Sequence, residues 1–489
     1  MIATVCQKFL THGTEPLLKG FSPSPRGSLK TTPDRAKLNS FQTETSQCLV
    51  ASPGQSLNGS VTAPGDKSLS HRAVICGAIA VGETTVRHLL ESDDVAATID
   101  AMRHLGAIVE QGENGIWRIR GVGVGGFRDP VGIIDFGNSG TSARLVMGAM
   151  STTPITAQIT GDDALCRRPM GRVLEPLAQM GARWSGGQGE HLPLTLIGAE
   201  LPVPIVYRLP VPSAQVKSAV LLAALNCAGR TSVIEPEPTR DHTERMLQLF
   251  GAHIDVSQTN ESERQITITG HAELKACALS IPGDPSSAAF LIVATLLVPN
   301  SHIIVKDVLI NPLRMGLYDT LSEMGAVIDF QNKRETCGEI VADLHATSST
   351  LTGVEVPAGR APSMIDEYPI LAVAAAFANG HTKLQGLGEL RVKESDRLTA
   401  IADGLRACGI TVHETPDSLV IEGAGSKSVQ GGAQINSHSD HRIAMSFLTL
   451  GLAAKKPVTV DGAHMIATSF PQYTDIMNKL GADITRGAE

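Results

Sequence analysis

The stretch MRHLGAIV at residues 102–109 decides the fold, because it joins the end of an amphipathic helix to the start of a strand. Its glycine accepts the left-handed backbone conformation in which a chain leaves a helix and reverses direction. The pattern returns as LAQMGARW, LQLFGAHI, LSEMGAVI, LRACGITV and MNKLGADI, so that the six glycines are Gly106, Gly181, Gly251, Gly325, Gly409 and Gly481. Because these glycines stand 70 to 84 residues apart, the sequence predicts six copies of one unit.

A helix rich in small and apolar residues also recurs once in each period, followed by a turn and a β-branched strand. QVKSAVLLAALNCAGRTSVI at 215–234 is an example. A helix that is apolar on all sides is predicted to be buried. These helices are predicted to begin near Ser70, Thr141, Gln215, Ser286, Asp366 and Asp440. We therefore expect an α/β fold made of six βαβαββ-type units.

The length of 489 residues favours two lobes of three units each, since one core does not grow to this size. The sixth unit stops soon after Asp483, before its last strand, whereas a strand-like segment at 56–65, SLNGSVTAPG, precedes the first unit. We predict that this segment completes the sixth unit. The predicted lobes are 65–280 and, discontinuously, 50–64 plus 281–489. The active site is expected in the cleft between these two similar lobes.

The composition excludes several classes of partner. The chain is 42% hydrophobic and only 3% aromatic, which gives few surfaces on which nucleic-acid bases can stack. Its net charge of -8 disfavours general attraction to nucleic acids or anionic membranes. No apolar run approaches the roughly 18 to 20 residues that span a bilayer. We expect no nucleic-acid partner and no membrane association, so any bound anion needs a local cluster of cations.

Residues 1–49 differ in composition from the rest, with many Ser, Thr, Pro, Lys and Arg residues and few acids. This composition predicts a disordered tail. It is also compatible with an organelle transit peptide, so the sequence leaves two locations open, the cytoplasm and an organelle. The eight cysteines form no CxxC pair, and neither a zinc site nor a disulfide framework is indicated.

Cations gather at the predicted helix starts and in two loops, CRRPMGR and RVKESDR. Helix N-termini carry unpaired N–H groups and a partial positive charge, so converging starts form an anion site. Arginine forks bind phosphate and carboxylate bidentately. The polar residues at the starts are Lys67, Ser68, Arg72, Asn138, Gly140, Thr141, Arg144, Ser213, Gln215, Lys217, His441 and Arg442, and the loop cations are Arg167, Arg168, Arg172, Arg391, Lys393 and Arg397. This pattern predicts small, strongly anionic substrates.

Two carboxylates, Asp366 and Glu394, stand among these cations. Such groups suit a general base and a general acid whose protonation is set by neighbouring Lys and Arg. A helix N-cap is an equally open role for Asp366, and a surface ion pair for Glu394. His441, between an acid and an arginine, is either a proton shuttle or a structural histidine at a helix cap.

Eight motifs in chain order resemble those of the EPSP synthases (3-phosphoshikimate 1-carboxyvinyltransferases), and several resemble the class II-like bacterial branch of this enolpyruvyl transferase family. They are PGDKSLSHRA, DFGNSGTSARL, RPM, SAQVKSAVLLA, PGDPSSAAF, SMIDEYPILA, RVKESDRL and DHRIAMSF, and they cover nearly all of 50–489. The resemblance implies transfer of the enolpyruvyl group of phosphoenolpyruvate to the 5-hydroxyl of shikimate 3-phosphate, with release of phosphate, in aromatic amino acid biosynthesis. It implies a cytoplasmic monomer that is a glyphosate target and needs no metal or organic cofactor.

The resemblance also implies roles for individual residues. Shikimate 3-phosphate is assigned to Lys67, Ser68, Arg72, Ser213, Gln215, Asp366 and Lys393. Phosphoenolpyruvate is assigned to Lys67, Gly140, Arg168, Gln215, Arg397 and Arg442. The catalytic residues implied are Lys67, Asp366 as the base at the 5-hydroxyl, and Glu394 as the acid that protonates the methylene carbon of phosphoenolpyruvate.

The sequence departs from the family pattern at one position and leaves three competing functions open. Thr468 stands where many relatives carry a lysine, so the site has one cation fewer. The sister enzyme that acts on UDP-N-acetylglucosamine uses a cysteine in the loop before an Arg-Pro pair; Cys166 lies in that loop, but only two residues before Arg168. A non-catalytic anion-binding relative is disfavoured by the presence of both Asp366 and Glu394, and an RNA-modifying relative is disfavoured by the acidic charge.

Overall fold

The computed structural model describes residues 48–187, 190–258, 263–425 and 428–487. The predicted tail falls almost entirely on 1–47, which lie outside these ranges. The last residue of the predicted tail, Leu49, begins a strand, so the C-terminal bound of this prediction is too late. Within the described ranges, no helix has the length and apolarity that a membrane span requires.

Six four-stranded sheets form the frame of the described chain, one for each predicted unit. In every sheet, an edge strand pairs in parallel with the strand that follows the buried helix, and two further strands continue the sheet antiparallel. In the first three units the strands run, in sheet order, Ala278–Ser280, Glu83–Arg87, Trp117–Arg120 and Ile108–Gln111; Ile134–Asp135, Thr156–Thr160, Leu194–Ile197 and Arg183–Gly186; and Val206–Arg208, Arg230–Glu235, Arg264–Thr269 and Ile254–Gln258.

The last three units repeat this order. Their strands are Asn58–Thr62, His302–Leu309, Glu339–Thr347 and Val327–Thr336; Glu355–Val356, Asn379–Gln385, Ser418–Ala424 and Val412–Glu414; and Gln434–Asn436, Val458–Asp461, Leu49–Ser52 and Asp483–Arg486. The α/β fold with six repeated units is therefore confirmed.

Each unit of the described chain pairs one buried helix with one amphipathic helix. The buried helices are Lys67–Ala78, Gly140–Met150, Ala214–Ala224, Pro285–Leu297, Tyr368–Ala376 and His441–Ala453. The amphipathic helices are Asp93–His104, Gly171–Gln179, His242–Leu249, Gly316–Glu323, Arg397–Ala407 and Tyr473–Leu480. Shorter helices lie at Asp163–Cys166 and Ala361–Met364, and 3-10 turns at Glu113–Gly115, Pro312–Arg314, Ala358–Arg360, Gly388–Val392 and Ala463–Thr468.

The glycines that define the repeat close the amphipathic helices as predicted. All six have φ between 87° and 113°, the left-handed region in which other residues are strained. The small residues of the buried helices serve close packing instead. At Gly148, a Cβ would lie 2.4 Å from the backbone carbonyl oxygen of Ala219 on the neighbouring buried helix. A larger residue at Gly148 would therefore push the second and third units apart.

Two hydrophobic cores are present in the described chain. One contains residues from Leu69 to Ile281 together with Leu309, and we call this part the N-terminal lobe. The other contains residues of 49–63 and 288–484, and we call this part the C-terminal lobe. This distribution supports the predicted lobes, with the chain passing between them twice.

One strand prediction is wrong. Asn58–Thr62, within SLNGSVTAPG, pairs in parallel with His302–Leu309 and so completes the fourth unit. The sixth unit is completed by Leu49–Ser52, which lies between Val458–Asp461 and Asp483–Arg486. Both strands belong to the C-terminal lobe, and nothing in their local sequence selects one distant partner over the other.

Candidate active site

A cleft of about 440 Å³ lies between the lobes and is lined by residues of both. Every buried helix of the described chain contributes a lining residue at its first position or within two residues before it. These residues are Lys67, Gly140, Ala214, Asp284, Asp366 and His441. Their backbone N–H groups and partial positive charges converge, which favours bound anions.

Most of the predicted site residues line this cleft. They are Lys67, Ser68, Arg72, Gly140, Arg168, Ser213, Gln215, Asp366, Lys393, Glu394 and Arg442. Arg397 lies behind these lining residues and forms ion pairs with Asp366 and Glu394, whose carboxylates face the cleft. Lys217 is turned away and buried, with ion pairs of 2.9 Å to Glu235 and 2.7 Å to Glu244. The structure thus brings the predicted set together, and Lys217 has a structural position.

The wall around Lys67 is held by a dense set of hydrogen bonds. Lys67 Nζ donates to Asp94 Oδ2 at 2.9 Å. Arg72 donates to Thr243 Oγ1 at 2.7 Å, to Ser218 Oγ at 2.9 Å and to a backbone carbonyl. Burial lowers the pKa of Arg72 to about 10, so the guanidinium keeps its charge at neutral pH. Both cations are therefore fixed in position before any ligand arrives.

The opposite wall of the N-terminal lobe is organised by Gly140 and its neighbours. Arg168 donates to Asn138 Oδ1 at 2.7 Å, which aims its guanidinium at the start of the Gly140–Met150 helix. Arg144 donates to Gln215 Oε1 at 2.7 Å. Because Gly140 has no Cβ, the space in front of Arg168 stays open. A Cβ there would lie 2.9 Å from Arg168 Nη1.

Glu394 is paired with arginines from both lobes. Its carboxylate lies 2.5 Å from Arg397 Nη2 and 3.6 Å from Arg168 Nη1. Burial raises the pKa of Glu394, but Arg397 and Arg168 outweigh this effect and hold the pKa well below its usual range. The carboxyl is therefore ionised in this arrangement. The interpretation of Glu394 as a surface ion pair is wrong, because its side chain is only 20% exposed and faces the cleft.

Asp366 belongs to the same lobe as Glu394, and both carboxylates contact Arg397. Its Oδ2 atom lies 2.9 Å from Arg240 Nη2 of the N-terminal lobe, and its Oδ1 atom 3.5 Å from Arg397. Burial raises the pKa of Asp366, but Arg240 and Arg442 lead the cations that hold it well below its usual range. The interpretation of Asp366 as an N-cap is wrong: the helix starts at Tyr368, and no side chain caps it.

His441 is neutral in this arrangement. Burial and the charge of Lys67 lower its pKa well below its usual value. The capping carboxylate of its helix is Asp440, whose Oδ1 atom accepts from the Arg442 N–H at 2.9 Å, so His441 is not the cap. Thr468 Oγ1 lies 3.3 Å from His441 Nδ1.

Arg240 and Asp94 are site residues that the sequence did not reveal. Arg240 lies in the loop EPEPTRDH, which has no helical or strand periodicity, and crosses the cleft to Asp366. Asp94 lies in the first turn of an amphipathic helix, where an acid is usually explained as a favourable charge at a helix start. The sequence offers one indirect indication of these two residues: each lies in the segment that follows a buried helix whose start carries one of the quoted motifs. At the mouth of the cleft, Arg172 also crosses to Glu389, at 3.1 Å.

One group of possible metal ligands occurs in the described chain, at Asp241, His242 and Glu339. Its carboxylates already have partners: Arg245 lies 2.9 Å from Asp241 and 3.6 Å from Glu339, and Asn311 donates to both. A guanidinium in this position competes directly with a metal cation. The chemistry of the cluster is therefore that of an ion-pair network between the lobes.

Two three-unit lobes with helix starts around a cation-rich cleft define the fold of an enolpyruvyl transferase. The solved structure of the enolpyruvyl transferase NikO from Streptomyces tendae shares this fold, with a TM-score of 0.72 over 91% of this chain and 100% of that chain. At 18% identity, this likeness concerns the fold alone.

Closer relatives give the family. The family model for EPSP synthase (3-phosphoshikimate 1-carboxyvinyltransferase) matches residues 51–477. A 3-phosphoshikimate 1-carboxyvinyltransferase from Parvibaculum lavamentivorans is 59% identical over 90% of this chain and 98% of its own length. An EPSP synthase structure from Acinetobacter baumannii is 42% identical, with a TM-score of 0.80 over 90% of this chain and all of that chain. The chain belongs to the EPSP synthase family.

Proposed function

We propose that this chain transfers the enolpyruvyl group of phosphoenolpyruvate to the 5-hydroxyl of shikimate 3-phosphate, with release of phosphate. The observation that carries the proposal is the pairing of two ionised carboxylates, Asp366 and Glu394, with cations of both lobes in one cleft. Both substrates are strongly anionic. Their phosphate and carboxylate groups compete with Asp366 and Glu394 for these cations.

The substrates divide along the cleft. We assign shikimate 3-phosphate to the wall of Lys67, Ser68, Arg72, Ser213 and Gln215, with Asp366 and Lys393 facing it from the C-terminal lobe. We assign phosphoenolpyruvate to the part of the cleft beside Gly140 and Arg168, with Arg442 opposite and with Lys67 and Gln215 between the two substrates. We also assign Arg397 to phosphoenolpyruvate; it lies behind the wall and contacts Glu394. Binding draws on both lobes, so closure of the lobes brings the reacting groups together.

The reaction follows from the placement of the two carboxylates. Asp366 takes the proton of the 5-hydroxyl while the hydroxyl oxygen forms a bond to C2 of phosphoenolpyruvate. Glu394 gives a proton to the C3 methylene. This addition yields a tetrahedral intermediate, which the cations at Arg168 and Lys67 stabilise. The C2–O bond to phosphate then breaks while the ionised Glu394 takes a proton back from the methyl group, and the enol ether and inorganic phosphate are the products.

Release of phosphate from phosphoenolpyruvate tests this proposal. We expect release only when shikimate 3-phosphate is also present, and none when UDP-N-acetylglucosamine replaces it. Phosphate release without an acceptor, or no release with shikimate 3-phosphate, would contradict the proposed reaction.

The sister reaction on UDP-N-acetylglucosamine makes a separate prediction about Cys166. Its Sγ atom donates to the carbonyl of Gly161 at 3.3 Å and does not line the cleft. A thiol in this position does not reach a substrate, so Cys166→Ser is expected to keep kcat and both KM values close to wild type. Steady-state kinetics check this, and a collapse of kcat in Cys166→Ser would favour the sister reaction.

Gly140→Ala is expected to weaken inhibition by glyphosate, a phosphonate analogue, by roughly 10- to 200-fold, the usual effect of one added carbon in a filled pocket. The added Cβ lies 2.9 Å from Arg168 Nη1 and 3.0 Å from Arg144 Nη1, so both guanidinium groups must move. The inhibition constant is the measurement. Gly359→Ala is a matched control, because its Cβ meets nothing within 4 Å. Equal inhibition of Gly140→Ala and wild type would refute the proposed phosphonate site.

We also infer a cytoplasmic monomer with small molecules as its substrates. One chain supplies both walls of the cleft, so the site is complete without a second copy. The cysteines of the described ranges are free thiols, which favours a reducing compartment. Sedimentation of the purified chain tests the monomer.

A further inference from the structure

The two passages between the lobes have the same sequence, Pro-Gly-Asp, at 64–66 and 282–284. They lie side by side: the Asp66 N–H donates to the Pro282 carbonyl at 2.7 Å, and the Asp284 N–H to the Pro64 carbonyl at 2.8 Å. Each aspartate then caps a buried helix that starts at the cleft. The hinge between the lobes is therefore also the origin of two helix starts.

Arg314 joins these two aspartates. Its Nη1 atom donates to Asp66 Oδ2 at 2.5 Å, and its Nη2 atom donates to Asp284 Oδ1 at 3.4 Å. The side chain is 3% exposed, so its charge is the main compensation for two buried carboxylates. Asp284 Oδ2 in turn accepts the N–H of Lys67 at 3.2 Å. This contact is made by the backbone N–H, so the position of the Lys67 backbone depends on the aspartates that Arg314 fixes.

A second line of contacts runs from Arg314 toward the other substrate. Arg314 Nη2 donates to Ser286 Oγ at 2.8 Å, and Ser286 Oγ donates to Glu367 Oε1. Glu367 lies 3.8 Å from Arg442 Nη1, and the same Arg442 atom donates to the carbonyl of Asp366 at 3.1 Å. The path ends at the proposed phosphoenolpyruvate ligand and the backbone of the proposed base.

We propose that Arg314 is a positioning residue of the reaction, which fixes the backbone of Lys67 at its helix start through Asp284 and orients Arg442 through Ser286 and Glu367. It also masks carboxylates that would repel anionic substrates. The fourth unit, whose helix start PGDPSSAAF has no cation of its own, receives its cation from the Pro312–Arg314 turn.

Steady-state kinetics of Arg314→Gln, Arg314→Lys and Ser286→Ala test this role. Arg314→Gln is expected to lower kcat about 100-fold, the usual effect of a small misplacement of reacting groups. Arg314→Lys keeps the charge and is expected to recover part of this loss. Ser286→Ala breaks only the second line and is expected to raise the KM of phosphoenolpyruvate roughly 2- to 10-fold, with the KM of shikimate 3-phosphate unchanged.

Arg334→Gln is the matched control. Arg334 lies outside the cleft and, like Arg314, pairs with two aspartates, Asp307 and Asp343, which belong to the same sheet as Arg334. Its kinetics are expected to match wild type. If Arg314→Gln does not fold, the steady-state kinetics of Ser286→Ala and Arg314→Lys test the proposal instead. Wild-type kinetics in both would overturn the proposal. The inference rests on the proposed transfer reaction: a wild-type chain without turnover refutes that reaction, whereas an active wild type with unaltered variants refutes only the role of Arg314.

Discussion

Glu394→Gln is expected to lower kcat by roughly 100- to 10,000-fold, the usual contribution of one general acid, while phosphoenolpyruvate still binds. The reason lies in the charge balance of the cleft. Arg397 and Arg168 hold the pKa of Glu394 well below its usual range, so the group carries no proton to donate while it is paired with them. When phosphoenolpyruvate neutralises these guanidinium groups, we expect the pKa of Glu394 to rise and the carboxyl to take up a proton.

Proton uptake on ligand binding is therefore the sharper readout of this prediction. We expect calorimetry in buffers of different ionisation enthalpy to show proton uptake when phosphoenolpyruvate binds the wild type without shikimate 3-phosphate, so that no turnover occurs, and none when it binds Glu394→Gln. Glu414→Gln is the matched control, because Glu414 is a carboxylate of similar exposure that pairs with Arg391 outside the cleft. Equal proton uptake in wild type and Glu394→Gln would assign the acid to another group.

Asp366→Asn is expected to lower kcat by a similar factor, roughly 100- to 10,000-fold, because the amide cannot accept the proton of the 5-hydroxyl. The side chain keeps its shape and part of its contact with Arg240, so the KM of shikimate 3-phosphate is expected to change much less. Initial rates at saturating concentrations of both substrates measure the effect. Asp403→Asn, an exposed aspartate paired with Arg406, is the control.

The pH dependence of kcat tests the proposed base and the proposed acid, because each must be in a particular protonation state. Arg240 and Arg442 help to hold the pKa of Asp366 well below its usual range, so its base form is present throughout the neutral range. The proposed acid role requires a protonated Glu394 in the complex, so kcat is expected to fall as pH rises through the pKa of Glu394 in that complex. A kcat that increases steadily with pH, or an Asp366→Asn variant with wild-type kcat, would contradict these assignments.

The repeats could be predicted because they have local physical causes. Gly106 and its five equivalents close helices through their own backbone conformation, and the polar residues after each turn mark the next helix start. Convergence of those starts in one cleft follows from the repetition of the unit. The roles of Asp366, Glu394 and the binding residues remain predictions, supported by their placement in this cleft.

The missed features depend on contacts between distant parts of the chain. The choice between Leu49–Ser52 and Asn58–Thr62 for the sixth sheet is decided by packing in the C-terminal lobe. Arg240 and Arg314 stand in short irregular segments, and their importance arises only from the aspartates that the other lobe or the hinge brings to them. A single sequence carries no local signal for such pairs.

Phosphorus NMR of a mixture of the chain with phosphoenolpyruvate and shikimate 3-phosphate tests the central claim most directly. We predict that both substrate signals fall together, and that inorganic phosphate and one new phosphorylated product appear in equal amounts. Release of phosphate while the shikimate 3-phosphate signal stays constant, or a mixture that does not change, would contradict the proposed transfer.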